Sequence, residues 1–139
     1  MHEVTEVNFG VPCNTRVWLS RSAERAIQKF RRKGDPDGSF WKRLKRWAQN
    51  GFRLHEGPDG PIRLEWDGVY RVGPIDSLFR IIGFYENDSR AHFIGMDAFL
   101  KHGQQLTDGQ KKRIDAVAAI KRDGNWRKTE NVRYPRIAR

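Results

Sequence analysis

Cysteine is almost absent from this chain, because Cys13 is the only one among 139 residues. A single cysteine excludes an intrachain disulfide and a cysteine-rich zinc site, and it suits a reducing compartment. The four histidines show no spacing typical of metal ligands, so we expect no metal and no cofactor. No apolar run approaches the roughly 20 residues that span a bilayer, and the first residues do not resemble a signal peptide. The sequence therefore predicts a cytoplasmic protein that does not enter a membrane.

Positive charge is in clear excess. The chain has 27 Lys and Arg residues against 17 Asp and Glu residues, a net charge of +10. A small domain with this surplus favours polyanionic partners, RNA or DNA first and acidic proteins second. The alternative is a basic surface that serves only solubility.

A strand and two amphipathic helices are predicted for the first half of the chain. Residues 15–20 form a short β-branched and aromatic run, and Ser20 or Ser22 is placed to cap the helix that follows. After the turn at residues 34–38, Ser39 is expected to cap a second helix that ends at Gly51. The exposed face of this second helix is basic; its cations are Lys42, Arg43, Lys45 and Arg46.

The second half predicts an antiparallel meander and a final helix. Alternation at residues 62–66, a turn at Asp67-Gly68 and further strands up to Leu100 are typical of successive hairpins. Thr107-x-x-Gln110 is a capping-box pattern that opens the last helix, with Gly124 as its stop. The predicted class is α+β: an N-terminal strand and helix hairpin, an antiparallel meander and a C-terminal helix. We expect residues 1–14 to be a loose arm, 15–123 the domain, and 124–139 a basic tail that carries Trp126 and Arg127.

Arg80 is the most informative single residue, because it lies in the otherwise apolar run Leu78–Tyr85. A guanidinium in a central strand is costly unless it is paired. One explanation is an ion pair with Asp76, Glu65 or Asp67. The other is that Arg80 faces a groove that receives an anion.

Four segments in this order resemble the RelE/ParE toxin superfamily, and in particular its phage Gp49-like/HigB branch. They are LSRSAERAIQKF (19–30), LEWDGVYRV (64–72), LFRIIGFYEND (78–88) and AFLKHGQQLT (98–107). The resemblance extends over about residues 15–123. Each is a weak motif alone, and the four in sequence are more specific.

The resemblance implies a toxin of a type II toxin–antitoxin system. Such a toxin is an endoribonuclease (mRNA interferase) that cuts translated mRNA on the ribosome. In that chemistry the RNA 2′-hydroxyl attacks the adjacent phosphate without a metal ion. The resemblance also implies a HigA-like helix-turn-helix antitoxin as partner, and hence a toxin–antitoxin hetero-oligomer.

The site residues that the resemblance implies are all basic. Arg80 matches the strand arginine that binds the scissile phosphate, and Arg71 matches a basic position on the preceding strand. The alternative for Arg71 is an ion pair with Glu65 across the hairpin. Lys101 and His102 match a basic pair at the corner between the last strand and the last helix. A histidine is suited to act as general acid or base, since its ordinary pKa lies near neutrality. We expect further RNA contacts at Trp126 and Arg127 and along the basic face of the second helix.

The sequence also departs from the family pattern. Gly73 stands where RelE-type enzymes often have a second strand lysine, and His102 replaces the second lysine of the pair. The general base therefore stays open among His102, His92 and Tyr85, with His55 as a weaker candidate. Trp126 or Tyr134 is the candidate for a base-stacking platform.

Two other functions remain open on the same fold. One is a ParE-like inhibitor of DNA gyrase, against which the basic set Arg71, Arg80 and Lys101 weighs. The other is a remnant that binds nucleic acid without cleaving it.

Overall fold

A seven-stranded mixed sheet with three α-helices makes up the described part of the protein. The computed structural model describes residues 1–35, 37–74, 76–101, 103 and 105–133, with side chains as far as Thr129. The helices are α1 (Arg21–Lys33), α2 (Ser39–Asn50) and α3 (Asp108–Asp123). The strands are β1 (His2–Glu6), β2 (Arg16–Ser20), β3 (Ile62–Leu64), β4 (Tyr70–Val72), β5 (Phe79–Tyr85), β6 (His92–Leu100) and β7 (Trp126–Arg133). The predicted α+β class is confirmed.

The sheet order is β3-β4-β5-β6-β2-β1-β7. Strands β3 to β6 form the predicted antiparallel meander, in which each strand pairs with the next one along the chain. Beyond β6 the sheet continues with β2, which runs parallel to β6. The parallel pairing is possible because two helices and three strands separate β2 from β6 in the chain, which is ample length for a crossover.

Helices lie on both faces of the sheet. One core contains side chains of α1 and α2 together with Phe79 and Ile81 of β5. The other contains side chains of α3 with Ile82 and Phe84 of the same strand. Because successive strand residues point to opposite faces, Arg80 shares the α3 face with Ile82 and Phe84.

The helix caps agree with the sequence at two of three positions. Ser20 Oγ accepts a hydrogen bond from the Ala23 amide at 3.1 Å, and the capping box between Thr107 and Gln110 is complete. The prediction for α2 is wrong, because Ser39 makes no cap. Its hydroxyl donates to Asp35 instead, and the Asp35 carboxylate accepts from the Phe40 amide at 3.2 Å.

Both expected tails are partly wrong, since each contributes a strand. Strand β1 lies within residues 1–14 and pairs with β2 on one side, and Val4 at its centre is fully buried. Strand β7 lies within residues 124–139 and runs parallel to β1. Both strands depend on partners far away in the sequence, so local patterns did not reveal them. Among the described residues no helix is long and apolar enough to cross a membrane.

Candidate active site

A basic groove lies on the α3 face of the sheet, where β5 begins and β6 ends. It encloses about 770 Å³ and is lined from β3, β4, β5, the segment after β6 and the start of α3. We call it the arginine groove. Of the described residues that line it, five are basic and two are acidic: Arg63, Arg71, Arg80, Lys101 and Lys111, with Asp59 and Glu65. The arrangement gives the groove a net positive charge.

The strand register explains why the arginines meet. Arg63 of β3 lies directly opposite Arg71 of β4, and Arg71 lies opposite Ile82 of β5. Arg80 is two residues from Ile82, so it is the diagonal neighbour of Arg71 on the same face. Like charges placed opposite each other across strands destabilise a sheet. The groove therefore concentrates positive charge at a cost to stability, as expected of a surface that receives an anion.

Arg80 lies at the bottom of the groove and is only 6% exposed. Its Nη1 donates to three main-chain carbonyls, those of Pro74 (3.1 Å), Ser77 (2.5 Å) and Phe79 (2.8 Å). Its Nε is buried and has no hydrogen-bond partner among the described residues. Burial and the neighbouring Arg71 lower the pKa of Arg80 to about 10. None of the three predicted carboxylate partners forms an ion pair with Arg80 within the described part of the chain.

Gly73 makes room for this arginine. A Cβ added at Gly73 would collide with the carbonyl oxygen of Phe79 and lie 2.9 Å from Arg80 Nη1. A side chain at this position would meet the Phe79 carbonyl and would also crowd the Arg80 guanidinium.

Arg71 and Glu65 form the only ion pair found within the described lining of the groove. Arg71 Nε lies 2.8 Å from Glu65 Oε1, and both side chains are largely buried. The N–H direction does not meet hydrogen-bond geometry, so this nitrogen too has no aligned acceptor. Burial lowers the pKa of Arg71, and Arg63 lowers it further, while Glu65 raises it. We treat the contact as electrostatic pairing without a hydrogen bond.

Lys101 closes the groove at the end of β6. Its backbone amide donates to the Leu78 carbonyl at 2.9 Å, which fixes the corner to the start of β5. Burial lowers the pKa of Lys101, with Arg71 and Arg80 adding to the effect. The structure thus brings Arg80, Arg71 and Lys101 together. The fourth predicted residue, His102, lies outside the described residues, as does Tyr134.

The other candidates for the general base are far from the groove. His92 begins β6, so it lies roughly 30 Å along the strand from Lys101. Its Nδ1 accepts from Trp18 Nε1 at 3.1 Å, which is a packing role. The Tyr85 hydroxyl donates to Glu56 at 2.6 Å, and burial raises the pKa of Tyr85 far above its usual value. His55 packs near Trp47 and does not line the groove.

The predicted RNA contacts on α2 and in the C-terminal segment lie outside the groove. Helix α2 packs on the opposite face of the sheet, where Lys42 and Arg46 are exposed and Lys45 is half-buried. Arg43 forms a bidentate ion pair with Asp76, in the connection between β4 and β5.

In the C-terminal segment, the ring of Trp126 packs edge-on against Phe84, with centroids 5.6 Å apart. Arg127 donates to Glu3 at 2.5 Å. Trp126 is therefore part of the packing of β7, at the far end of β5 from Arg80. It does not provide a stacking surface in the groove.

Sequence reasoning missed Arg63 and Lys111 in the groove, whereas the ion pair between Arg71 and Glu65 was one of its alternatives. A signal for Arg63 was present, because residues 62–65 alternate and place Arg63 and Glu65 on one face. The position of Arg63 beside Arg71 depends on the hairpin register, which the sequence did not predict. Lys111 comes from the start of α3, and only the packing of that helix places it here.

Comparison with known proteins adds no relative to this description. No protein-family model matches the chain, and comparison with curated proteins and with solved structures gives no significant match. Within the described residues, no three His, Cys, Asp or Glu side chains are grouped as a metal site would require.

Proposed function

We propose that this protein is an endoribonuclease that binds an RNA phosphodiester in the arginine groove and cleaves it through the 2′-hydroxyl. The observation that carries the proposal is the guanidinium of Arg80 at the bottom of a groove of like charge, which among the described residues has no carboxylate partner and no acceptor for its Nε. A buried donor without a partner costs free energy, and the cost is larger for a charged group. A phosphate bound in the groove would supply the negative charge that this guanidinium lacks.

A phosphodiester in a chain of phosphates fits the charge of the groove. Arg80 and Arg71 approach from adjacent strands, and guanidinium groups match the oxygens of a phosphate with two parallel hydrogen bonds. Arg63, Lys101 and Lys111 extend the positive charge along the groove, as a polymer with one charge per nucleotide would require. Single-stranded RNA satisfies both conditions.

Cleavage needs a base for the 2′-hydroxyl, a counter-charge for the phosphorane and an acid for the leaving oxygen. Glu65 is the carboxylate beside Arg71 in the groove, and we assign it as the base. The 2′-oxygen forms a bond to phosphorus while its proton passes to Glu65, and the bond from phosphorus to the 5′-oxygen breaks. Lys101 donates a proton to that oxygen, for which its lowered pKa suits it. Arg80 and Arg71 balance the added negative charge.

The wider function that we propose follows the resemblance to the RelE/ParE superfamily. The protein then acts as the toxin of a toxin–antitoxin pair, on mRNA held by the ribosome. Its antitoxin, a HigA-like helix-turn-helix protein, would cover the groove with acidic side chains. Charge complementarity supports that partner, because the groove has five basic lining residues.

The test is to induce the protein without an antitoxin and to map mRNA 5′ ends, with Glu65→Gln in parallel. We expect new ends in translated regions, 2′,3′-cyclic phosphate on the upstream fragments, and neither in the variant. Glu65→Gln should still bind RNA, since it removes a negative charge from the groove. Intact mRNA with growth arrest and DNA damage would favour gyrase as the target. Full cleavage by Glu65→Gln would refute the assignment of the base.

A further inference from the structure

Two leucines contribute apolar surface to the arginine groove. Leu78 and Leu106 line it among the charged side chains. Leu78 is 43% exposed, whereas Leu106 packs partly against the core beneath α3. One exposed leucine is common on a protein surface. Two leucines in the groove that binds an anion provide an apolar surface that a phosphate does not use.

Leu78 lies next to two cations of the groove. It directly precedes β5, and the pairing of Phe79 with Leu100 continues one step further, since the Lys101 amide donates to the Leu78 carbonyl at 2.9 Å. Leu78 is therefore the cross-strand neighbour of Lys101. Arg80 is two residues further along on the same face, about 7 Å away. A group that rests on Leu78 is thus beside both Lys101 and Arg80.

The segment that joins β6 to α3 adds a polar group to the groove. Gln105 lines the groove with an exposed side chain, and its amide forms no hydrogen bond within the described part of the chain. The amide of Gln110 is already engaged, because it accepts from the Thr107 amide and donates to the Leu100 carbonyl. Gln105 therefore presents a donor and an acceptor that are both available to a ligand.

We propose that Leu78, Leu106 and Gln105 form a nucleobase site, which holds the base on the 3′ side of the cleaved bond. The inference rests on the proposed cleavage of RNA. In that reaction Lys101 protonates the leaving 5′-oxygen, which belongs to the nucleoside downstream of the phosphate. Because Leu78 is the neighbour of Lys101, the downstream base is the one that meets the leucines.

The chemistry of these side chains fits the base rather than the sugar or the phosphate. A base has apolar faces, which leucine side chains can cover, and an edge with donors and acceptors. A glutamine amide forms two hydrogen bonds to the edge of adenine. The site makes binding depend on the identity of the downstream base, which the basic residues of the groove do not.

The test uses dinucleoside monophosphates in which hydrogen replaces the attacking 2′-hydroxyl, so that none is cleaved. One probe has adenine only on the downstream sugar, a second has it only on the upstream sugar, and a third has no base. In NMR titrations the downstream probe should bind the wild-type protein about tenfold more tightly than the baseless probe, as burial of a leucine surface predicts. It should also bind more tightly than the upstream probe. Equal or reversed affinities of the downstream and upstream probes would overturn the site.

Leu78→Ala should reduce the preference for the downstream probe over the baseless probe to less than about threefold. Its affinity for the baseless probe should equal that of the wild type, which shows that the groove is intact. Leu100→Ala is the matched control, because Leu100 is 47% exposed and lies opposite Phe79, on the face that packs on α1 and α2. The control should keep the tenfold preference. A Leu78→Ala protein that also keeps it would refute the proposal.

Gln105 is tested with guanine on the downstream sugar, since guanine has similar faces but a different edge. Adenine should bind about threefold more tightly than guanine, and Gln105→Ala should abolish this difference. No difference, or one that Gln105→Ala leaves in place, would overturn the role of Gln105. If Arg80→Met binds the baseless probe as tightly as the wild type does, the proposed function fails and the base site fails with it. Loss of base preference alone leaves the proposed cleavage standing.

Discussion

Replacement of Arg80 by methionine separates an anion-binding arginine from a structural one. Methionine keeps most of the aliphatic volume and removes the charge together with its donors. The structure sets two opposing effects on stability. The charge is buried among other cations, and three carbonyls accept from its Nη1.

The two effects nearly cancel. A pKa lowered from 12.5 to about 10 corresponds to about 3 kcal/mol of unfavourable interaction with the charged form, since one unit is about 1.4 kcal/mol. The carbonyls of Ser77 and Phe79 lose the Arg80 donor, at a cost of about 1 kcal/mol each, whereas the Pro74 carbonyl still accepts from the Ser77 amide. We therefore expect the free energy of unfolding of Arg80→Met to differ from wild type by no more than about 1 kcal/mol.

RNA binding should fall much more. One hydrogen bond from a charged group to phosphate contributes about 1.5–3 kcal/mol, so affinity should drop by about 10- to 150-fold. Denaturant unfolding gives the first quantity, and fluorescence anisotropy with a short single-stranded RNA gives the second. The salt dependence should weaken as well, because one phosphate contact contributes about 0.7 to the slope of log K against log salt for single strands.

The opposite pattern would refute the reasoning. If Arg80 served an internal ion pair, its removal would lower the free energy of unfolding by about 3–5 kcal/mol. A variant that remains folded would then bind RNA normally. Arg113→Met is the matched control, since Arg113 is ion-paired with Asp97 on the same face and does not line the groove. Arg113→Met also removes one positive charge from the protein, so comparing its RNA affinity with that of Arg80→Met tests whether the effect depends on the location of the charge.

Three further predictions concern the surroundings of the groove. Gly73→Ala should destabilise the protein by about 2 kcal/mol and weaken RNA binding, because its Cβ meets the Phe79 carbonyl. Gly109→Ala in α3 should change neither stability nor RNA binding. Equal melting temperatures of the two variants would contradict this prediction. The pKa of His92 is lowered by burial and by Lys128, so the free energy of unfolding should fall as pH drops below about 6.5, where the unfolded chain takes up a proton that folded His92 does not. His92→Asn keeps an acceptor for Trp18 and should lose less stability between pH 7.5 and 5.5; identical losses in denaturant titrations would count against it. If Arg43 acts by holding the β4–β5 connection, reversing the charge of Arg43 or of Asp76 alone should lower RNA affinity by up to about fivefold. Exchanging the two residues should then restore the affinity. No restoration would show that Arg43 contacts RNA directly.

The predicted elements depended mainly on local signals. The capping box at Thr107, the Gly124 stop and the alternation that starts at Ile62 each specify an element through interactions within a few residues. These were predicted correctly. Ser39 failed as a cap because the Asp35 carboxylate, four residues earlier, accepts hydrogen bonds from both the Phe40 amide and the Ser39 hydroxyl.

Part of the candidate site was also accessible from the sequence. A charged residue in an apolar strand is costly, so Arg80 attracted attention without any structure. Its lack of an ion-pair partner among the described residues was not predictable, because it depends on which carboxylates the fold brings near. Glu65 faces Arg71 instead, at 2.8 Å.

Sequence alone determined the α+β class and the meander, because hydrophobic period, caps and turns act over short distances, and it singled out Arg80 as a charged residue in an apolar strand. Tertiary structure decided that β1 and β7 complete the sheet, that Gly73 leaves space for a buried guanidinium, and that Arg63 and Lys111 join the groove. It also removed His92, Tyr85 and Trp126 from the site by placing them elsewhere in the fold. The physical reason is that pairing register and helix packing join residues that are distant in the chain, and no local pattern encodes those distances.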